Sequence, residues 1–272
     1  MHQDTTSSRG RALVLAIIAA AMFAAYTQVA ATATSAARTS YGSPVAVGNG
    51  TARTYVTTVN GKPTEVGVAL TEAALSGLPA PHSPGGMHEH GHSRFDHVLP
   101  LPEENPTPFR HAVVNWNPAG HEPPGIHDTP HFDVHFYTIE NADRLAIDPV
   151  DPEFQQKAER TPSPELIPQG YIMPAPLAFA RMGVHWVDPK TPELNGKPFT
   201  ATFIYGSWDG KVIFAEPMFT KAFLESKPQF SAAVPAPPVG RAAGPYPSGY
   251  SIRWDAATKE YRITLTGLVA GA

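Results

Sequence analysis

The sequence predicts a mainly β fold of the α+β type. The expected architecture is an antiparallel β-sandwich or barrel-like sheet with two or three short peripheral helices and long Pro/Gly loops. Three observations carry that expectation. The chain has 30 prolines and 22 glycines against 16% charged residues, a composition that favours short elements and many turns over long helices. Runs rich in β-branched and aromatic residues recur along it, separated by strong turn signals. Strand and helix patterns do not alternate, which argues against an α/β architecture. About eight or nine short strands, paired antiparallel around one core, are expected.

Residues 1–37 read as a secretory signal peptide. Arg9 and Arg11 precede an apolar run from Ala12 to Ala25 that is too short for a comfortable membrane span. Small-residue cleavage sites follow, at Ala31-Thr32-Ala33 or Ser35-Ala36-Ala37. The mature protein is therefore expected in the periplasm or outside the cell, with no stable membrane span. The chain contains no cysteine, which removes disulfides, thiolate nucleophiles and a lipid-attachment cysteine. A formal net charge of −4 without a basic patch argues against nucleic acid as a partner.

Residues 38–50 read as a flexible linker and 51–272 as a single β-rich domain. Arg53 to Val59 is a strand, Asn60-Gly61 is a strong hairpin turn, and Glu65 to Leu70 is the return strand. Thr71 to Ser76 reads as a short helix capped by Thr71 and stopped by Gly77. Residues 81–97 form a His-rich Pro/Gly loop with His82, His88, His90, His92 and His97. Such tracts collect metal through composition alone. Arg110 to Trp116 is a further strand. Asp151 to Arg160 is compatible with a helix. Phe199–Tyr205 and Lys211–Ala215 form a hairpin across Gly206–Gly210, and a short helix follows Pro217. Residues 228–247 read as a Pro-rich linker before a terminal hairpin of Tyr250–Trp254 and Glu260–Leu268.

The stretch from Asn115 to Ile139 carries the chemistry. It holds four histidines, two aspartates and a glutamate. Its first part is a proline-interrupted loop, and His131 to Ile139 then alternates. His131, Asp133, His135 and Tyr137 fall on one face, and Phe132, Val134, Phe136 and Thr138 fall on the other. This predicts a half-buried strand with an aromatic-aliphatic core face and an imidazole-carboxylate polar face. Imidazole and carboxylate together suit zinc, iron, copper or manganese. Neighbours on one strand face lie roughly 6.6 Å apart, so Asp133 can share an ion with His131 or with His135. His131 and His135, at roughly 13 Å between Cα atoms, are too far apart to share one without a bulge. The other ligands must come from the loop (His121, His127) or from distant positions, of which His185 and Glu216 are the best candidates. Glu122 and Glu216 are the candidate acid/base groups. No P-loop, dinucleotide fingerprint or nucleophile elbow is present.

The phrases GHEPPGIHDTPHFDVHFY, MGVHW and FIYGSWDGKVIFAEPM resemble an exported bacterial family of unknown function typified by a hypothetical Thermus protein. The resemblance extends roughly from Thr51 to the C-terminus. It implies G-H-E-P at His121 and Glu122, P-H-F-D-x-H-F-Y over His131 to Tyr137, G-x-H-W at His185, and E-P-M at Glu216. In that family the position of His127 is often a tyrosine, which weakens His127 as a required ligand. No activity comes with the resemblance.

The sequence thus leads to an exported protein with one divalent-metal site built from His131 or His135 with Asp133, His185, Glu216 and His121, serving hydrolytic or oxidative chemistry. Its competitor is a non-enzymatic envelope or stress-associated protein that self-assembles, with the histidines in a structural polar network. Whether the chain is an enzyme, which small molecule it takes and whether it forms a homo-oligomer are left open.

Overall fold

The computed structural model describes residues 36–81, 95–174 and 177–268. The expected signal peptide lies almost wholly outside them, as does most of the His-rich loop. The described residues form fourteen strands. In chain order these are β1 (Ala37–Tyr41), β2 (Val45–Val47), β3 (Gly50–Val59), β4 (Lys62–Thr71), β5 (Asp96–Pro100), β6 (His111–Asn117), β7 (His131–Tyr137) and β8 (Ala178–Phe179). They continue with β9 (Gly183–Val187), β10 (Ala201–Trp208), β11 (Lys211–Thr220), β12 (Gln229–Ala233), β13 (Gly249–Asp255) and β14 (Glu260–Thr266). Among the described residues there are three short α-helices, α1 (Asn141–Leu145), α2 (Phe154–Glu159) and α3 (Lys221–Glu225).

The strands make two antiparallel sheets of seven. One runs β1-β3-β4-β14-β13-β12, with β2 also paired to β3, and the other runs β5-β6-β7-β11-β10-β9-β8. The hairpins follow the turn chemistry. Asn60 and Gly61 both have positive φ, 52° and 75°, the backbone that a two-residue turn between β3 and β4 requires. Asp209 and Gly210 repeat the device at 49° and 79° between β10 and β11. This hairpin is tighter than the five-residue turn expected, because β10 runs on through Gly206 to Trp208.

One hydrophobic cluster draws on both sheets. Val56, Val68, Leu70, Ile252 and Ile263 come from the first, and Val114, Phe132, Val134, Phe136, Phe203 and Phe219 from the second. Burying side chains of this size stabilises by about 1.5–3 kcal/mol each. Phe132, Val134 and Phe136 enter this cluster as the alternation in β7 predicts.

Several expectations need correction. Residues 38–50 are not a linker: β1 pairs with β3 from Ala37↔Val59 to Tyr41↔Tyr55, and β2 pairs with β3 as well. Residues 228–247 likewise contain β12, an edge strand on β13. These segments are polar or small-residued and take their extended form from the partner's open hydrogen-bonding edge. Thr71 does not cap a helix, because its Oγ1 is engaged with the backbone of Thr51 on β3, and only a 3-10 turn follows at Glu72–Leu75. Pro217 lies inside β11 and does not start a helix. α3 begins at Lys221, with Thr220 Oγ1 accepting from the Phe223 N–H at 3.0 Å. Finally, β7 is not half-buried. All seven of its residues are buried, so its imidazole-carboxylate face is enclosed as well.

Candidate metal centres

β7 sits between β6 and β11 in the second sheet, and register determines what surrounds its polar face. Asn117 lies opposite His131, Asn115 opposite Asp133 and Val113 opposite His135 on β6. On the other side, Thr220 pairs with His131 and Met218 with Asp133. The pairing between β7 and β11 lapses at Glu216 and Pro217, where proline has no N–H to donate. One strand further, Ile204 pairs with Glu216 on β11, and Gly206 pairs with His185 on β9. Gly206 has no side chain because the Phe214 ring lies over it; a Cβ there would come within 2.0 Å of that ring. The ring then reaches both His135 and His185, at centroid distances of 4.7 and 5.6 Å.

The expected ligands fall into two groups, not one. In the first, Asp133 Oδ1 lies 3.2 Å from His131 Nε2 and its Oδ2 lies 3.3 Å from His121 Nε2. In the second, Glu216 Oε1 lies 3.3 Å from His135 Nε2 and its Oε2 lies 3.9 Å from His185 Nε2. The donor atoms of each group lie within 4.8 Å of one another, close enough to hold a metal ion. The single ligand set expected from sequence is therefore divided in two. Asp133 turns to His131 and the loop residue His121, leaving His135 to the two distant ligands.

The tautomers follow from the hydrogen bonds. His131 Nδ1 meets the Thr129 carbonyl at 2.7 Å, and His121 Nδ1 meets the Glu122 carbonyl at 2.7 Å. A carbonyl can only accept, so each Nδ1 carries the proton. In the neutral ring, Nε2 is then a lone pair facing the carboxylate. His135 Nδ1 lies 3.0 Å from Asn115 Oδ1. The Asn115 amide donates to Asp96 Oδ1 at 2.6 Å, which orients its oxygen toward the imidazole. Asp96 is held in turn by Arg144 at 2.6 Å and Arg181 at 3.2 Å. Asn117 Nδ2 donates to Asp133 Oδ2 at 2.7 Å. Hydrogen bonding of the outer ring nitrogen and of the ligating carboxylate is the usual support of a metal site.

Although they lie near carboxylate oxygens, the Nε2 atoms of His131 and His135 are buried and make no hydrogen bond, and Asp133 Oδ1 and Glu216 Oε2 are in the same condition. Lone pairs that touch without pointing at each other converge on a third point. Atoms bound to one ion at about 2.1 Å stand ~3.0 Å apart at a right angle and ~3.4 Å apart at the tetrahedral angle. Three of the four contacts fall within or next to that range, and the His185 contact needs only a small closure. Two imidazoles and one carboxylate suit zinc, iron(II), copper or manganese and leave coordination positions open.

The two groups differ electrostatically. Burial alone would raise the Asp133 carboxyl, but the His131 and His121 rings overcome it and hold the carboxyl well below the usual range. Burial also opposes the charge on His121, and Asp133 outweighs it to raise that pKa. In the second group burial dominates. It pushes Glu216 well above a normal carboxylate, with Asp133 adding repulsion, and it lowers His135 well below a normal imidazole.

Both groups open onto one cavity of about 440 Å³. His121 and Asp133 of the first and His185 and Glu216 of the second are in its wall. Glu122 is exposed at the same cavity, joined to Pro123 by a cis peptide bond. His127 belongs to neither triad. Its ring packs 4.7 Å from Phe199 and 5.7 Å from His121. Burial and the neighbouring His121 and His131 lower its pKa to about 4. Four supporting residues were not anticipated: Asn115, Asn117, Asp96 and Arg144. Two asparagines following His111 and Val113 on one face of β6, in RHAVVNWN, were the available signal.

Residues 58–116 match the TTHB210-like family, described as "Hypothetical protein TTHB210". The match agrees with the resemblance read from the sequence, over a shorter span. The TTHB210-like segment contains Asp96 and Asn115 but none of the six triad residues, so it assigns no role to them. No curated protein and no solved structure matches the chain.

Proposed function

We propose that this chain is an exported divalent-metal protein. In this reading it holds ions in two sets of two histidines and one carboxylate, His121/His131/Asp133 and His135/His185/Glu216, on one sheet of a β-sandwich. Both sets serve hydrolytic or oxidative chemistry in the shared cavity. The supporting observation is that His131 Nε2, His135 Nε2, Asp133 Oδ1 and Glu216 Oε2 are buried without a hydrogen bond beside the other ligand atoms of their groups, while the Nδ1 atoms of His121, His131 and His135 are committed elsewhere. A divalent ion so held lowers the pKa of bound water or activates dioxygen. Glu122, exposed at the cavity, is placed to exchange protons with solvent as the acid/base. Export rests on the N-terminal sequence pattern.

The test is metal stoichiometry. The mature chain, with His82, His88, His90 and His92 replaced by serine to silence compositional binding, is stripped with chelator, reloaded with zinc and analysed for metal. About two ions per chain are expected, one for each group, with Asp133→Asn and Glu216→Gln each removing one. A stripped protein that takes up no zinc at micromolar concentration, stays folded and self-associates would favour the self-assembly reading instead.

A further inference from the structure

Building on the metal reading, we propose that the cavity binds a small molecule with an uncharged, apolar, ring-sized body and an oxygen-donor end that meets the metal. The lining is divided by chemistry. Four triad residues, His121, Asp133, His185 and Glu216, supply polar lining, while Ile172, Leu177, Phe179, Leu194, Ile204 and Met218 supply apolar lining. Cavities of this kind bind by burying apolar surface and orient their ligand through a few polar groups. Here the two triads supply such groups through His121, Asp133, His185 and Glu216.

Charge narrows the class further. No lysine or arginine is among the described lining residues, whereas Glu122 and Glu193 stand in the wall outside the triads. A phosphate or sulfate on the body, away from the end that meets the metal, would face these carboxylates with no lysine or arginine to pair with, and removing an unpaired charge from water is costly. A sugar would leave most of its hydroxyls against methyl and ring carbons, unsatisfied. The mouth points the same way. Ile172 and Leu177 are among the few large apolar residues left exposed, at 45% and 56%, and both line this cavity. Size sets the scale: a cavity of roughly 150 Å³ lined by apolar side chains holds benzene, so this one accommodates a body of two or three fused rings.

The probes are a dihydroxynaphthalene with adjacent hydroxyls, its sulfonate, and methylnaphthalene, which has no donor. Binding to zinc-loaded and chelator-stripped protein is followed by calorimetry and fluorescence. The dihydroxynaphthalene should bind the loaded protein at least about tenfold tighter than the stripped protein, and its sulfonate at least about tenfold more weakly. Leu177→Glu, at an exposed position, should leave zinc stoichiometry unchanged and weaken both uncharged probes by at least about tenfold. Full zinc loading with a sulfonate that binds as well, or with Leu177→Glu binding like wild type, overturns the inference and leaves the metal reading standing. If zinc does not load, the metal reading fails separately. Methylnaphthalene binding to stripped protein that is lost in Leu177→Glu then still supports the apolar cavity, and absence of that binding overturns it.

Discussion

Asn115→Ala separates the two centres. The side chain accepts from His135 Nδ1 at 3.0 Å and donates to Asp96 at 2.6 Å. Asp96 keeps Arg144 and Arg181 after the truncation, so the main loss is the buried His135 N–H, stranded without an acceptor. Such an orphan costs about 1–3 kcal/mol of stability. The released ring no longer has a fixed tautomer or orientation, and loss of a supporting hydrogen bond of this kind lowers metal affinity by about 10–100-fold. The assay is competition for zinc against a chromophoric chelator, with Glu216→Gln and Asp133→Asn as backgrounds that report one centre at a time. The Asn115→Ala effect should appear where Asp133 is replaced and be small where Glu216 is replaced. Equal loss at both centres, or wild-type affinity at the His135 centre, would refute the relay from Asp96 through Asn115.

Three further outcomes are expected. Phe136, fully buried and edge-on to Phe109 at 5.9 Å, should cost about 3–5 kcal/mol when truncated to Ala; Phe136→Ala melting like wild type would reverse the assigned faces of β7. His111 is lowered to about 4 by burial and then by Arg144, against about 6.5 when unfolded. The unfolded chain therefore takes up the extra proton first, so this contribution is fully present above about pH 6.5 and is lost as pH falls toward 4. His111→Phe, which retains the stack on Tyr137, should remove about 2 kcal/mol of the stability lost between about pH 7.5 and pH 5 in urea unfolding; an unchanged slope would contradict it. Protein recovered from the envelope or medium should begin between Thr34 and Thr39, upstream of most of β1, by N-terminal sequencing; an intact Met1 on cytoplasmic protein would overturn export.

What was legible in the sequence followed from local chemistry. The two faces of β7, the Asn60-Gly61 turn and the β10–β11 hairpin each depend on side-chain alternation or on backbone that few residues adopt. The missed strands, β1, β2, β5, β8, β9 and β12, are short and lack that alternation, and hydrogen bonding to a neighbour makes them extended. His185 and Glu216 were recognisable as ligand types, and the fold brings both to the His135 end of β7. The division into two groups was not legible. It depends on which way each imidazole turns, and the Thr129 and Glu122 carbonyls and the Asn115 amide decide that across loop and sheet. The relay to Asp96 and Arg144 was hidden for the same reason, since 48 positions separate that pair in the chain.

The place of β7 has a consequence for how this protein can change over time. Consecutive residues of one seven-residue strand serve opposite masters: Phe132, Val134 and Phe136 fill the shared core, while His131, Asp133 and His135 feed both candidate centres. Point substitutions can be absorbed one at a time on either side. A single-residue insertion or deletion within the strand cannot, because it turns every later side chain through the sheet. Between His131 and Asp133, such a change would turn both Asp133 and His135 toward the core and break both ligand sets at once. Related chains should therefore vary in length in the 118–130 loop and in the segments beyond β7, while the spacing from His131 to Tyr137 stays fixed.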